Sequence, residues 1–228
     1  MWGSGYHHIA AFSFQYPAMS TRFCLIRHGE TDWNAEKRIQ GQIDIDLNAT
    51  GEAQARAVRP GLAGQRFNAI YSSDLARAWR TAEIATSELN IAVSPAPTLR
   101  ERHYGVFQGL TAKDAKIQQP EAYHHHHLRT PDYAYGNGET LIAFAARLMD
   151  TLNHLAELHR GGSVLAFTHG GVLDIVYRVA TGRSLETLRD FPVPNAALNW
   201  LECGAGVWTL RDWADRRHLE RALDEVVE

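Results

Sequence analysis

Two stretches of this chain end the same way. Phe23-Cys24-Leu25-Ile26 runs into Arg27-His28-Gly29, and Val164-Leu165-Ala166-Phe167-Thr168 runs into His169-Gly170-Gly171. An imidazole can act as nucleophile, base or donor, and an arginine beside it offers a planar fork that matches phosphate oxygens. Two more candidates lie between these stretches: Arg77, shortly after Ser72-Ser73-Asp74, and Glu101, after the break Ser94-Pro95-Ala96-Pro97. Two arginines, two histidines and one carboxylate make a pocket for a dianionic phosphoryl group. In such a pocket neutral His28 attacks phosphorus and carries the group as a covalent intermediate. Glu101 protonates the leaving oxygen and then takes a proton from water, and Glu30 or Glu121 could replace it if the loop folds differently. Arg27, Arg77 and His169 hold the charged oxygens.

These residues need elements that converge. Both apolar runs have strand length, and a strand that stops at His-Gly sets the histidine at its carboxyl edge, where open α/β sheets bind ligands. After a loop over Glu30 to Asp46, Thr50-Gly51 can start a helix that Pro60 ends or kinks. Phe67 to Tyr71 reads as a strand, and Ser72-Ser73-Asp74 supplies N-cap chemistry for a helix with Leu75, Ala78, Trp79, Ala82, Ala85 and Leu89 on one face. Ile91 to Val93 reads as a short strand, Leu99 to Gly109 as irregular, and Thr111 to Gln119 as a helix stopped by Pro120. Residues 120–138 read as a loop. Leu141, Phe144, Ala145, Leu148, Leu152, Leu155 and Ala156 follow amphipathic spacing. A helix through Val172, Leu173, Val176 and Val179 follows the second His-Gly. Ala196 to Leu201 and Val207 to Arg211 flank Gly204-Ala205-Gly206 as a hairpin, and a last helix carries Leu219, Ala222, Leu223 and Val226. Strands alternating with helices predict a three-layer α/β/α sandwich with a mostly parallel sheet.

The bulk numbers agree with a globular catalyst. The chain has 228 residues, 45% of them hydrophobic, enough for a substantial core. A net charge of −3 argues against nucleic-acid or anionic-membrane partners, so an anion site must be a local cluster. Cys24 and Cys203 are far apart and read as buried thiols of a reducing, cytoplasmic compartment. No apolar run approaches the roughly 18–20 residues of a membrane helix. Residues 1–18 hold no Lys or Arg and read as a flexible or loosely docked extension, with 19–228 as one catalytic domain.

Leu25-Ile26-Arg27-His28-Gly29-Glu30-Thr31, with Trp33-Asn34 behind it, resembles the signature of the histidine phosphatase superfamily, which includes the cofactor-dependent phosphoglycerate mutases. Ser72-Ser73-Asp74-Leu75-Ala76-Arg77-Ala78 resembles the block with the phosphate-binding arginine. Glu101-Arg102-His103-Tyr104-Gly105 resembles the block with the acid/base glutamate, and Thr168-His169-Gly170-Gly171 the block with the second histidine. Phe191-Pro192-Val193-Pro194-Asn195 is also familiar from the family's tail. The resemblance implies a phosphoglycerate mutase-like fold, catalysis by His28, Arg27, Arg77, Glu101 and His169, and a substrate side lined by Asn34, Gln40, Gly41, Tyr104 and Gly170.

The family divides into phosphatases and mutases. Glu101-Arg102-His103-Tyr104 leans toward the mutases, but Thr111-Ala112 stands where they carry Asn-Lys, and Gly171 where they carry asparagine. A mutase also has adjacent arginines in an insertion where this chain has His124 to His127 and Arg129. Water as acceptor follows: a metal-independent hydrolase of a small phosphorylated metabolite, with no cofactor. The alternatives are a mutase primed by 2,3-bisphosphoglycerate and a non-catalytic phosphate binder. The His124–His127 run reads as a solvated loop or lid rather than a metal site, because structural metals take ligands at spaced positions. Gly136-Asn137-Gly138 reads as a turn before a helix and not as a dinucleotide fingerprint, since no strand precedes it. Oligomeric state stays open, a homodimer through the Gly204 hairpin edge or the first 18 residues being one option.

Overall fold

A computed structural model gives the protein's structure over residues 19–219. The extension read at 1–18 and the last helix beyond Leu219 lie outside these described residues. In order the elements are β1 (Thr21–Arg27), α1 (Asp32–Ala35), α2 (Ala49–Leu62), β2 (Ala69–Ser72), α3 (Ala76–Thr86), β3 (Val93–Pro95) and α4 (Ala112–Gln118). Then follow α5 (Pro120–His127), α6 (Leu141–Leu158), β4 (Ser163–Thr168), α7 (Gly170–Thr181), β5 (Leu198–Gly204) and β6 (Val207–Asp215).

The six strands form one sheet in the order β3-β2-β4-β1-β5-β6. The first four are mutually parallel, β5 runs antiparallel to β1, and β6 closes the hairpin on β5. The sheet is therefore mixed but mostly parallel, and helices cover both faces. β1 and β4 sit in its middle and are buried on both sides, which explains why each reads as an unbroken apolar run. Alternation sorts their side chains between two cores. Phe23, Leu25, Val164 and Ala166 pack with α6 and α7 on one face. Cys24, Ile26, Leu165 and Phe167 pack with α2 and α3 on the other. Each such buried Phe, Leu or Ile contributes roughly 1.5–3 kcal/mol. Both cysteines are free and buried.

Register does the positioning. Arg27 lies opposite Thr168 in the β1–β4 ladder, so the two strands stop at one level and the next residues, His28 and His169, leave the sheet side by side.

Several element boundaries differ from the sequence reading. Asn48, not Thr50-Gly51, caps α2 by accepting from the Gly51 N–H, and the helix runs through Pro60 to Leu62. A proline in the last turn forfeits one bond only, so it does not stop the helix. β2 and β3 each begin two residues later than read. The largest correction is α5. Pro120 ends α4, yet it opens a second helix that contains all four histidines. Proline suits a first helical position, where its missing N–H has no partner to lose.

Candidate active site

The chain around His28 is pinned from three sides. Asn195 Nδ2 donates to the His28 carbonyl at 2.8 Å, and the Ala196 N–H donates to the Arg27 carbonyl at 3.0 Å. The Gly29 N–H donates to Thr81 Oγ1 on α3 at 2.9 Å. Gly29 also packs directly on the Gly51 backbone of α2, where any Cβ would overlap the carbonyl oxygen. His28 Nδ1 lies 2.7 Å from the Gly29 carbonyl oxygen. A carbonyl can only accept, so Nδ1 carries the proton and Nε2 keeps its lone pair. That is the tautomer a nucleophile needs.

Arg77 sits in the first turn of α3 and is fully buried. Its two terminal nitrogens donate to the carbonyls of Ile43 at 2.9 Å and Gly41 at 2.7 Å, fastening the loop after α1 over the sheet edge. The same loop caps α3: Asp44 Oδ1 accepts from the Ala76 N–H at 2.7 Å. The cap read at Ser72-Ser73-Asp74 is thus displaced. Leu75 is the N-cap residue and offers no side-chain bond. Asp74 instead pairs with Arg100 through two bonds of 2.7 and 2.6 Å. Ser73 Oγ lies 2.8 Å from His169 Nε2, where both residues are buried.

Glu101 reaches across to the start of α7. Its Oε2 accepts from the Gly171 N–H at 2.8 Å and its Oε1 from the Arg102 N–H at 2.7 Å. A Cβ at position 171 would overlap Oε1, so glycine leaves the carboxylate its place. Neither Glu30 nor Glu121 competes. Glu30 accepts from Asn48 at the start of α2, tying down the loop after His28, and Glu121 is exposed on α5.

The His28 and His169 rings are 5.2 Å apart between centroids. Burial, then the charges of Arg77 and Arg27, hold His28 well below the usual histidine range. Burial, then Arg77 and His28, act on His169 in the same way. Both imidazoles are neutral at pH 7. Burial also lowers Arg77 to about 10 and Arg27 in the same direction, and both stay cationic. Several polar atoms here lack a protein partner. Arg27 Nε, Arg77 Nε and His169 Nδ1 are buried and unbonded, as is the acceptor Gln40 Oε1. Buried polar atoms left unpaired are costly, and finding several in one place points to a ligand that completes them.

Four of the five catalytic candidates border one cavity of about 530 Å³. Arg27, His28, Arg77 and Glu101 line it together with Asn34, Gln40, Gly41, Tyr104 and Gly170; His169 does not line it, its ring lying 5.2 Å from that of His28. The sequence reading missed Ser73 in its bond to His169 and the outer-wall residues Arg102, Tyr123, His126, His127 and Arg189. For Asn195 a signal existed, the familiar tail Phe191 to Asn195, whose Val193 carbonyl also takes Arg27 Nη1 at 2.7 Å. Among the described residues no three His, Cys, Asp or Glu side chains cluster as metal ligands would, and no helix is long and apolar enough to cross a membrane.

Comparison with known proteins agrees with this geometry. A metal-independent phosphoserine phosphatase of Arabidopsis thaliana is 41% identical over 203 residues, covering 87% of this chain and 83% of that protein. Phosphoglycerate mutase-like protein 4 of the same plant is 37% identical over 202 residues, covering 86% of each. The solved structure of Bacillus stearothermophilus YhfR superposes with a TM-score of 0.82 at 30% identity, covering 87% of this chain and 99% of that one. The family model described as histidine phosphatase superfamily, branch 1, matches residues 23–216. That match takes in both His-Gly strand ends, Arg77 and Glu101, and the chain is an enzyme belonging to the histidine phosphatase superfamily.

Proposed function

We propose that this enzyme hydrolyses a small phosphomonoester, without a metal, through a phosphohistidine at His28. The observation that carries this reading is the pair of unpaired buried guanidinium donors, Arg27 Nε and Arg77 Nε, beside a neutral His28 whose Nε2 is free. A phosphoryl group bound there accepts from those donors. His28 Nε2 attacks phosphorus in line; the N–P bond forms as the P–O bond to the leaving group breaks. Glu101, protonated at that point, gives its proton to the leaving oxygen. Water then attacks the phosphohistidine, Glu101 takes the water's proton, the N–P bond breaks and inorganic phosphate departs. The fixed guanidinium groups carry the charge of the transferring phosphoryl throughout.

Two features support water as the final acceptor. Gly171 leaves no room for a side chain beside Glu101, whereas the mutases carry asparagine there. The Arabidopsis relative at 41% identity bears the name of a metal-independent phosphatase.

A phospho-enzyme trap tests the mechanism. The protein is mixed with a labelled phosphomonoester, quenched in alkali and digested. Label on the peptide with His28, stable to base and lost in acid, is expected. His28→Ala should lose the label and at least ~10³-fold in kcat, and excess chelator should change nothing. Full chelator sensitivity, or turnover surviving in H28A, would overturn the reading. Rapid decay of the label in water alone favours the phosphatase; decay that requires phosphoglycerate favours the mutase.

A further inference from the structure

The bond between Ser73 and His169 has no part in the chemistry above. Ser73 stands where β2 runs out, beside the end of β4. Its N–H donates to the Phe167 carbonyl at 3.0 Å and its own carbonyl accepts from Ser72 Oγ at 2.8 Å, so its backbone is held from two sides. Its hydroxyl oxygen lies 2.8 Å from His169 Nε2, and both residues are 0% exposed.

A hydroxyl, unlike a carbonyl, can donate or accept, so its other partners decide which it does toward an imidazole. Ser73 Oγ already accepts from the Leu75 N–H at 3.4 Å. For its own proton, His169 Nε2 is the one acceptor within hydrogen-bond distance among the described residues. A buried hydroxyl proton without an acceptor is costly, so Ser73 donates and Nε2 accepts. His169 is neutral, because burial and then the charge of Arg77 hold it well below the usual histidine range. In a neutral imidazole whose Nε2 accepts, the proton sits on Nδ1. The two histidines thus reach the same tautomer by opposite means. The Gly29 carbonyl accepts from Nδ1 of His28, and the Ser73 hydroxyl occupies Nε2 of His169. What they leave open differs: a lone pair at His28 Nε2, an N–H at His169 Nδ1.

That N–H is buried and has no protein acceptor among the described residues. The ring does not line the open cavity, but it stands 5.2 Å from the His28 ring between centroids. We propose that Ser73 is a positioning residue: its hydroxyl fixes His169 with the proton on Nδ1, so that this N–H donates to an oxygen of the phosphoryl group as it passes to His28. The proposal rests on the phosphohistidine reading above. His169 gives up no proton in this role. It adds one fixed donor to the guanidinium groups of Arg27 and Arg77, in a buried site where such a bond counts most. With the proton on Nε2 instead, Nδ1 would turn a lone pair toward the phosphoryl oxygens and repel them.

Nitrogen NMR of the isotope-labelled protein reads the tautomer directly, because protonated and unprotonated ring nitrogens resonate far apart. Subtraction of the His169→Gln spectrum identifies the ring. The resting wild type should show His169 protonated on Nδ1; protonation on Nε2 overturns the proposal without any further variant. Inorganic phosphate, titrated to saturation, should move the Nδ1 resonance, and binding that leaves it in place overturns the proposal as well. Ser73→Ala should release the ring to the Nε2–H form that a free histidine side chain prefers. It should also lower kcat/KM about tenfold, the scale of one charge-assisted hydrogen bond. Ser72→Ala, which loses a buried bond to the Ser73 carbonyl but none to an imidazole, should keep the wild-type tautomer and rate. In a His169→Gln background, Ser73→Ala should cost less than about twofold more, because the serine acts only through that ring. A second tenfold loss there, or an equal loss in Ser72→Ala, would assign the serine to the packing of the sheet and overturn the proposal. Failure of the phosphohistidine reading looks different: the trap leaves no label on the His28 peptide, while the resting tautomer of His169 is still read as before.

Discussion

At the scale of single residues the site depends on where one proton and one carboxylate sit. The Gly29 carbonyl holds the proton on His28 Nδ1, and the Gly171 and Arg102 amides hold the Glu101 carboxylate in the cavity wall. Gly171→Ala tests the second arrangement. The new Cβ displaces Oε1, so the acid no longer stands where the leaving oxygen needs it. Loss of a positioned acid costs roughly 10²–10⁴-fold. The loss should fall on alkyl phosphates, whose leaving oxygen needs a proton, and be at least tenfold smaller for p-nitrophenyl phosphate, whose phenolate leaves unaided. Equal losses on both esters would mean that Gly171 serves the fold and not the acid. The five catalytic candidates stood out in the sequence because each lies at or after a strand end, Arg27 closing β1, His28 and His169 following β1 and β4, Arg77 in the first turn of α3 and Glu101 in the loop after β3, and each carries a side chain too specialised for packing. Ser73 was not. A serine before a helix satisfies a cap as well as it satisfies an imidazole, and only the packing of β2 beside β4 decides in favour of His169.

At the scale of elements, α3 and the loop after α1 hold each other. Arg77 fastens the loop through the Gly41 and Ile43 carbonyls, and the loop returns Asp44 to cap the helix that carries Arg77. Asp44→Ala should lower stability by about 1 kcal/mol, the usual worth of a side-chain cap. Since the cap sits one residue from Arg77, the inhibition constant for inorganic phosphate should also rise several-fold. Urea unfolding and phosphate inhibition read the two effects; a stability loss with unchanged phosphate affinity would detach the cap from the site. This cap could not be found by scanning next to the helix, because its acceptor residue is 32 positions upstream. The central strands and the long helices α6 and α7 were legible, since apolar runs and 3.6-residue spacing are local properties. The helix at Pro120 was misread for the opposite reason: proline and four histidines look like a loop, and only the cluster of Phe107, Ala115 and Tyr135 beneath α4 and α5 holds that stretch together.

For the whole molecule, the positive site and its buried imidazoles make stability depend on pH. His28, His169 and His126 are all lowered, the first two well below their usual value and His126 to about 4, and His159 and His218 move the same way through burial. Above pH ~6.5 these rings are neutral in the folded and the unfolded chain, and their contribution is fully present. As the pH falls below that value the unfolded chain binds protons that the folded chain refuses, so stability drops until the folded pKa is reached. For His126 the window runs from the unfolded value down to about 4. Asp74 and Asp215 are lowered as well, but depressed carboxylates lose their contribution below the ordinary carboxylate range, so the interval from pH 7 to pH 5 isolates the histidines. Unfolding free energy should therefore fall steadily across that interval. His126→Gln removes one titrating ring, and its curve should be flatter, with a difference from wild type that narrows by about 1–2 kcal/mol between pH 7 and pH 5. Urea titrations at the two pH values measure this directly. Parallel curves would mean that His126 meets water freely and titrates normally in the folded state, in which case the positive field of Arg102 and Arg129 does not reach the face of α5.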